Sequence, residues 1–356
     1  MTIEFIKDRT KSHFVNEMSC IFEKVDVLSK TKLKCSWKGV YHLKLNKIYD
    51  YTPGDAIGIL APNSEEIVQN LMYLCNWNNN VYVKVNNIGL DSFKYIGSLK
   101  ELLVNHIDLK SAPRKKELKA LLKTAEDKEG LTKLIEDVNE YKKFLLSYPT
   151  ILTFIEKFKA KPTIEDFLSS CSIITPRFYS LINKKTENLE VIIGIEKHKD
   201  LNTPFGLKYG HCSEFIKTQE IDSLQICFKK SILLSNLNKS INQNTELISF
   251  CTGTGITPFI SFYKNYTFSK LKLHYGFRNN EDDLSKLFLN ELENIIQYKS
   301  SDKQYLNNQI NINNIHDNLY VFVCGNMKMQ KDVFLIIKRL YPELVKSKRI
   351  YFENWK

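Results

Sequence analysis

The stretch ELISFCTGTGITPFISFY, residues 246–263, decides how the C-terminal third of this chain is read. Leu247, Ile248 and Phe250 make a short buried strand, Gly253, Thr254 and Gly255 a tight turn, and Pro258 stands where a helix can begin. Glycine lets backbone N–H groups approach an anion closely, and a helix N-terminus adds partial positive charge, so strand, glycine turn and helix together form a phosphate cradle. Plain connections share this pattern, so the context has to decide. Outward from it, residues 244–356 alternate. Strands are predicted at 246–251, 271–276, 294–299, 319–323 and 349–353, and helices at 258–266, 283–293, 303–314 and 327–340. Such alternation implies a doubly wound parallel sheet that binds ligands at the carboxyl ends of its strands, where the glycine turn sits.

A chain of 356 residues is long enough for two or three domains, and 43% hydrophobic residues suffice for real cores. No apolar run approaches the ~20 residues of a membrane span. The N-terminus, MTIEFIKDRTKSHF, has no apolar signal core, so a soluble, cytoplasmic protein is expected. Eight cysteines without a CxxC pair and seven histidines without HExxH predict no metal site and fit reduced thiols. The net charge of +11 is spread along the chain as lysines among acids. With no basic block or recognisable motif, neither a nucleic acid nor a membrane is expected as partner. The charge reads as a solvated surface or as a docking face for an acidic protein.

VYHLKLNK (40–47) alternates like a half-buried strand, and YDYTPGDAIGILAPNS (49–64) runs turn, strand, turn, with Asp55 as a local turn cap. Residues 64–160 read as helical. Leu99, Leu102, Leu103 and Ile107 share one face, Leu118, Leu121 and Leu122 another, and 131–158 continues with a break near Pro149. Strand composition returns at 173–183, 189–197 and 223–234. The expected architecture is β and α/β. An antiparallel barrel (1–63 and 163–243) is interrupted by a helical connecting insert (64–162), and the doubly wound domain (244–356) follows.

Four motifs then occur in order: R-F-Y-S at 177–180, G-H-C-S at 210–213, C-T-G-T-G-I-T-P-F at 251–259 and V-C-G-N-M-K at 323–328, with Y-F-E-N-W-K closing the chain. This set resembles the ferredoxin-reductase-like, FAD- and NADPH-binding half of NADPH-dependent diflavin oxidoreductases. Within the family, C-G-N, the short insert and the terminal E-x-W are most similar to the diflavin reductase of cytosolic iron–sulfur assembly. Members begin with a flavodoxin-like FMN domain. Here Met1 is followed almost at once by barrel sequence, so the expectation is either a single-flavin enzyme or a piece of a longer protein.

The resemblance implies roles residue by residue. Arg177 pairs with an FAD phosphate, as suits a permanent planar cation. Phe178 and Tyr179 lie at the isoalloxazine, and Ser180 near its reactive nitrogen. Gly210, His211, Cys212 and Ser213 open a helix at the FAD pyrophosphate, with His211 incidental to the chemistry. Gly253, Thr254 and Gly255 cradle the NADPH pyrophosphate, with Arg278 nearby. Ser300, Lys303 and Tyr305, in K-S-S-D-K-Q-Y, take the 2′-phosphate, where the family's arginine is absent unless Lys299 substitutes. Ser180, Cys324 and Glu353 surround the transferred hydride, and Trp355 shields the flavin. The implied activity is hydride transfer from NADPH to FAD, then single electrons to an acidic acceptor, either a flavodoxin-like or FMN domain or an iron–sulfur protein. The alternatives are a scaffold that has lost its chemistry, which bound FAD would exclude, and a stand-alone ferredoxin reductase, against which the long insert speaks.

Overall fold

The computed structural model describes residues 2–6, 13–16, 21–36, 38–88, 91–199, 207–312 and 314–353. They fall into two units, Met1–Ile21, Leu60–Arg177 and Glu196–Gln219 forming one, and Phe22–Ile59, Phe178–Ile195 and Glu220–Lys356 the other. No helix among the described residues is long and apolar enough to cross a membrane.

The first unit is built on the leucine faces of the insert. Leu99, Leu102, Leu103, Ile107, Leu118 and Leu121 share one core with Ile135, Phe154 and Phe167. Each such side chain contributes roughly 1.5–3 kcal/mol when fully buried. Tyr148, at positive φ, precedes Pro149, and the predicted break falls there, between helices Val138–Leu145 and Ile151–Phe158. Inside the stretch expected to be helical lies an antiparallel hairpin, Tyr82–Ile88 with Asp91–Ser98. Val83, Val85, Phe93 and Tyr95 point into the core, a period of two that wins over helix once two strands can pair. Thr2–Ile6 and His13–Asn16 add to its edges, giving a four-stranded sheet.

In the second unit, six strands run in the order Arg177–Ser180, Ala56–Leu60, Ser223–Lys229, Glu23–Leu33, Val40–Leu45, Glu190–Gly194. Its resolved pairings are antiparallel, as expected of the barrel. The predicted strand 223–234 ends at Lys229, and Ser231 caps a helix, Ile232–Ser240. The apolar I-L-L run is the first turn of that helix, and Leu234 and Leu237 are its buried face. Asp55 is the turn cap expected, its Oδ2 accepting from the Thr52 backbone and hydroxyl at 2.9 Å each.

The parallel sheet runs Ile295–Lys299, Lys270–Phe277, Glu246–Thr252, Leu319–Cys324, Ile350–Glu353, close to the predicted strands. Helices Thr257–Asn265 and Met327–Leu340 also match. The helix expected over 303–314 is instead one 3-10 turn, Leu306–Gln309, with Ile310 and Ile312 buried beyond it. Asparagines competing for backbone hydrogen bonds, and apolar residues spaced by two, do not sustain a helix. The helix expected over 283–293 shrinks to Ser285–Phe288.

Candidate flavin and dinucleotide site

All pairs in the parallel sheet run the same way, so its carboxyl ends share one edge. There Thr252 gives way to a 3-10 turn, Gly253–Ile256, and then to helix Thr257–Asn265 with Pro258 in its first turn. Gly253 has φ +54°, and a Cβ built on it would meet nothing within 4 Å. Gly255 is the opposite case, since its Cβ would lie 2.7 Å from the Cys324 carbonyl oxygen. Gly325, at φ +150°, would bring a Cβ to 2.1 Å from Thr252 Oγ1. The turns after two neighbouring strands therefore pack closely, backbone on backbone at Gly255 and against the Thr252 side chain at Gly325, and the face of Gly253 stays open.

Cys324 is paired in register with Cys251 on one side and Glu353 on the other. All three are buried. Burial, then the Glu353 charge, pushes the Cys324 thiol well up, so it stays protonated. Burial also raises the Glu353 carboxyl to about 7, opposed by the Ser231 hydroxyl and Lys229 and helped by Asp55. Ser231 Oγ donates to Glu353 Oε2 at 3.0 Å, and Gln330 Nε2 donates to the Gly325 and Glu353 carbonyls at 2.8 and 3.1 Å. Ser231, Lys229 and Gln330 lie outside every motif of the sequence. A serine before an apolar helical run is a cap signal, but its second bond to Glu353 has no local signature.

On the strand Arg177–Ser180, Arg177 is exposed and donates to Thr175 Oγ1 at 3.2 Å. Phe178 and Tyr179 are half-buried, with Lys229 Nζ 4.4 Å from the Phe178 ring centre. Ser180 is buried, and its hydroxyl has no hydrogen-bond partner among the described residues. Within the first unit, Gly210 is the N-cap of helix His211–Thr218, with no side chain capping it. Ser213 Oγ accepts from the Glu196 N–H at 2.9 Å, which leaves its proton to donate. His211 Nε2 lies 3.0 Å from the Pro62 carbonyl, and burial lowers its pKa, so it is a neutral donor fixed to backbone. Cys212 is buried.

Arg278 follows strand Lys270–Phe277 and is exposed, and its carbonyl accepts from the Ser301 N–H at 3.1 Å. That bond ties it to the turn Ser300–Asp302. Lys303, at φ +58°, and Tyr305 are exposed beyond it. Lys299 is paired with Asp302 at 2.8 Å, so the lysine offered in place of an arginine already has a counter-charge. Trp355 lies outside the described residues.

A family model described as "FAD binding domain" matches residues 24–215, more than half of the chain. The chain belongs to the FAD binding domain family. Its relatives include the sulfite reductase [NADPH] flavoprotein alpha-component of Buchnera aphidicola subsp. Schizaphis graminum, 24% identical over 93% of this chain and 58% of that protein. Nitric oxide synthase of Drosophila melanogaster is 24% identical over 82% of this chain and 25% of its own length. The apicoplast ferredoxin–NADP reductase of Plasmodium falciparum is 38% identical over 33% of this chain and 35% of that protein. A crystal structure of that organism's ferredoxin–NADP+ reductase, an H286K mutant in complex with 2′P-AMP, superposes with TM-score 0.52 at 20% identity, covering 93% of this chain and 95% of that one. The fold is thus that of a ferredoxin–NADP reductase. The chain spans 58% of the first of these relatives.

The residues present fit the family's flavin. Buried hydroxyls rarely go without a partner, and Ser180 Oγ is such an orphan. Ser213 lies in the first turn of a helix, where donors and dipole favour phosphate. In the second unit the face of Gly253 is open, since a Cβ there would meet nothing within 4 Å.

Proposed function

We propose that this chain is a reductase that takes hydride from NADPH onto FAD and passes single electrons to a protein acceptor. The observation that carries the reading is the meeting of the open glycine turn, Cys324 and Glu353 at the carboxyl edge of one parallel sheet. FAD, when bound, accepts electrons in pairs and releases them singly. The protein's share is to bind, orient and manage charge. Arg177 and the Gly210–Ser213 helix start hold the flavin's phosphates, with His211 and Cys212 packing that turn. Phe178, Tyr179 and Trp355 flank its ring, and Ser180 donates toward it. Gly253, Thr254, Gly255 and Arg278 hold the dinucleotide's phosphates, with Ser300, Lys303 and Tyr305 at the 2′-phosphate. Cys324 offers a neutral thiol and Glu353 a carboxyl whose affinity for a proton is poised near neutrality.

The net charge of +11 suits an acidic acceptor in the cytosol, either a flavodoxin-like domain or an iron–sulfur protein, as in iron–sulfur assembly. The test is a visible spectrum of the purified protein before and after anaerobic NADPH, with NADH in parallel. Flavin absorbance that bleaches with NADPH, with FAD released on denaturation, is the expected result. A colourless protein that retains no added FAD would overturn the reading.

A further inference from the structure

We propose that Ser231 is the positioning residue of the Glu353 carboxyl group, aimed at it by the helix that Ser231 caps and by Asp55. This rests on the reading that Glu353 serves hydride transfer.

Ser231 is buried and does three things at once. Its Oγ accepts from the Leu234 N–H at 3.3 Å, the cap of helix Ile232–Ser240. With that lone pair engaged, its proton is directed to Glu353 Oε2 at 3.0 Å, a residue 122 positions further on. Its own N–H donates to Asp55 Oδ1 at 2.8 Å, and the other Asp55 oxygen is held by Thr52. Serine and acid are therefore fixed from both sides. Gln330 ties the Glu353 carbonyl to that of Gly325, so backbone and side chain of Glu353 are both held next to Cys324. A serine needed only as a cap has no use for a buried carboxylate partner, and burying that carboxylate costs free energy unless it is hydrogen-bonded.

The charged and titratable groups facing Glu353 are Lys229, Asp55 and Cys324. Ser231 and Lys229 favour the carboxylate, while burial and Asp55 oppose it. Taking away the Ser231 hydroxyl leaves burial and Asp55 opposed by Lys229 alone, so Glu353 should hold its proton to higher pH.

The experiment titrates the full chain labelled with 13C-carboxyl glutamate by NMR, with Glu353→Gln assigning the signal. Ser231→Ala should raise the midpoint by about one pH unit, the scale of a hydrogen bond to a charged group. Ser231→Thr, which keeps hydroxyl and cap, should stay close to wild type. Should the alanine variant fail to fold, Ser231→Gly removes the hydroxyl but leaves a tolerated N-cap. An unmoved midpoint overturns the positioning role. In parallel, rapid-mixing flavin reduction by NADPH is followed against pH. A profile that moves with the NMR midpoint and disappears in Glu353→Gln supports both claims. A shifted NMR midpoint, with reduction indifferent to both variants, keeps Ser231's role and overturns that of Glu353.

Discussion

Gly253 and Gly255 stand two positions apart and are glycines for opposite reasons. Gly255 has no room, since the Cys324 carbonyl and the Gly325 Cα, 2.7 and 2.8 Å from its would-be Cβ, are backbone and cannot swing away. Gly255→Ala is expected to destabilise the protein by about 1–3 kcal/mol through overpacking, seen as a lower urea midpoint. Gly253 has room but a left-handed φ of +54°. Gly253→Ala should cost only about 1 kcal/mol of stability. If its face is a phosphate cradle, NADP+ binding measured by titration should fall at least tenfold in a variant that still folds. Unchanged affinity would count against the cradle.

Glu353 gives a pH prediction whose sign follows from its raised pKa. The unfolded carboxyl titrates at 4.5 and the folded one at about 7. Between these values the native state holds the extra proton, so stability falls as pH rises through that window and levels off above it. Glu353→Gln removes the dependence. Relative to wild type it should gain on the order of 3 kcal/mol between pH 4.5 and pH 8. Urea unfolding of both proteins at the two pH values checks this, and a constant difference would rule it out.

At the scale of elements, the helix Thr257–Asn265 that follows the glycine turn is held at its far end by a small network. Asn265 donates to the carbonyls of Asn183 and Ser261 at 2.9 and 3.0 Å, and the buried Tyr51 hydroxyl donates to the Asn183 carbonyl and lies 3.2 Å from Ser261 Oγ. Burial pushes the Tyr51 pKa up to about 12, so the phenol stays a donor at any working pH. Tyr51→Phe should cost about 1–2 kcal/mol by urea unfolding, with no change in chain packing volume to offset it. A loss under about 0.3 kcal/mol would show that the network is redundant. Helix Met327–Leu340 falls on the predicted range, and in the structure Asn326 caps it. The run 303–314 was not legible, because scattered isoleucines carry helix and extended periods equally well until Ile310 and Ile312 find their core.

For the whole molecule, the charge of +11 makes ionic strength a lever. On the proposed function, electron delivery to an acidic flavodoxin-like acceptor should slow by about tenfold as salt rises from ~20 to ~300 mM, as attraction beyond the Debye length is screened. Stopped-flow reduction of such an acceptor measures this. A salt-independent rate would assign the charge to solubility alone. The candidate site residues could be named before any coordinates, because R-F-Y-S, G-H-C-S and the glycine turn are short motifs whose residues lie a few positions apart. The alternation of strands and helices after residue 244 and the leucine faces of the insert were legible for the same reason, since a repeat of two or 3.6 residues is local. Tertiary structure alone decided that Thr2–Ile6 pairs with Tyr82–Ile88, and that Ser231 meets Glu353 across 122 positions. Such pairings are fixed only when distant segments bury a common core, and no window of neighbouring residues contains both partners.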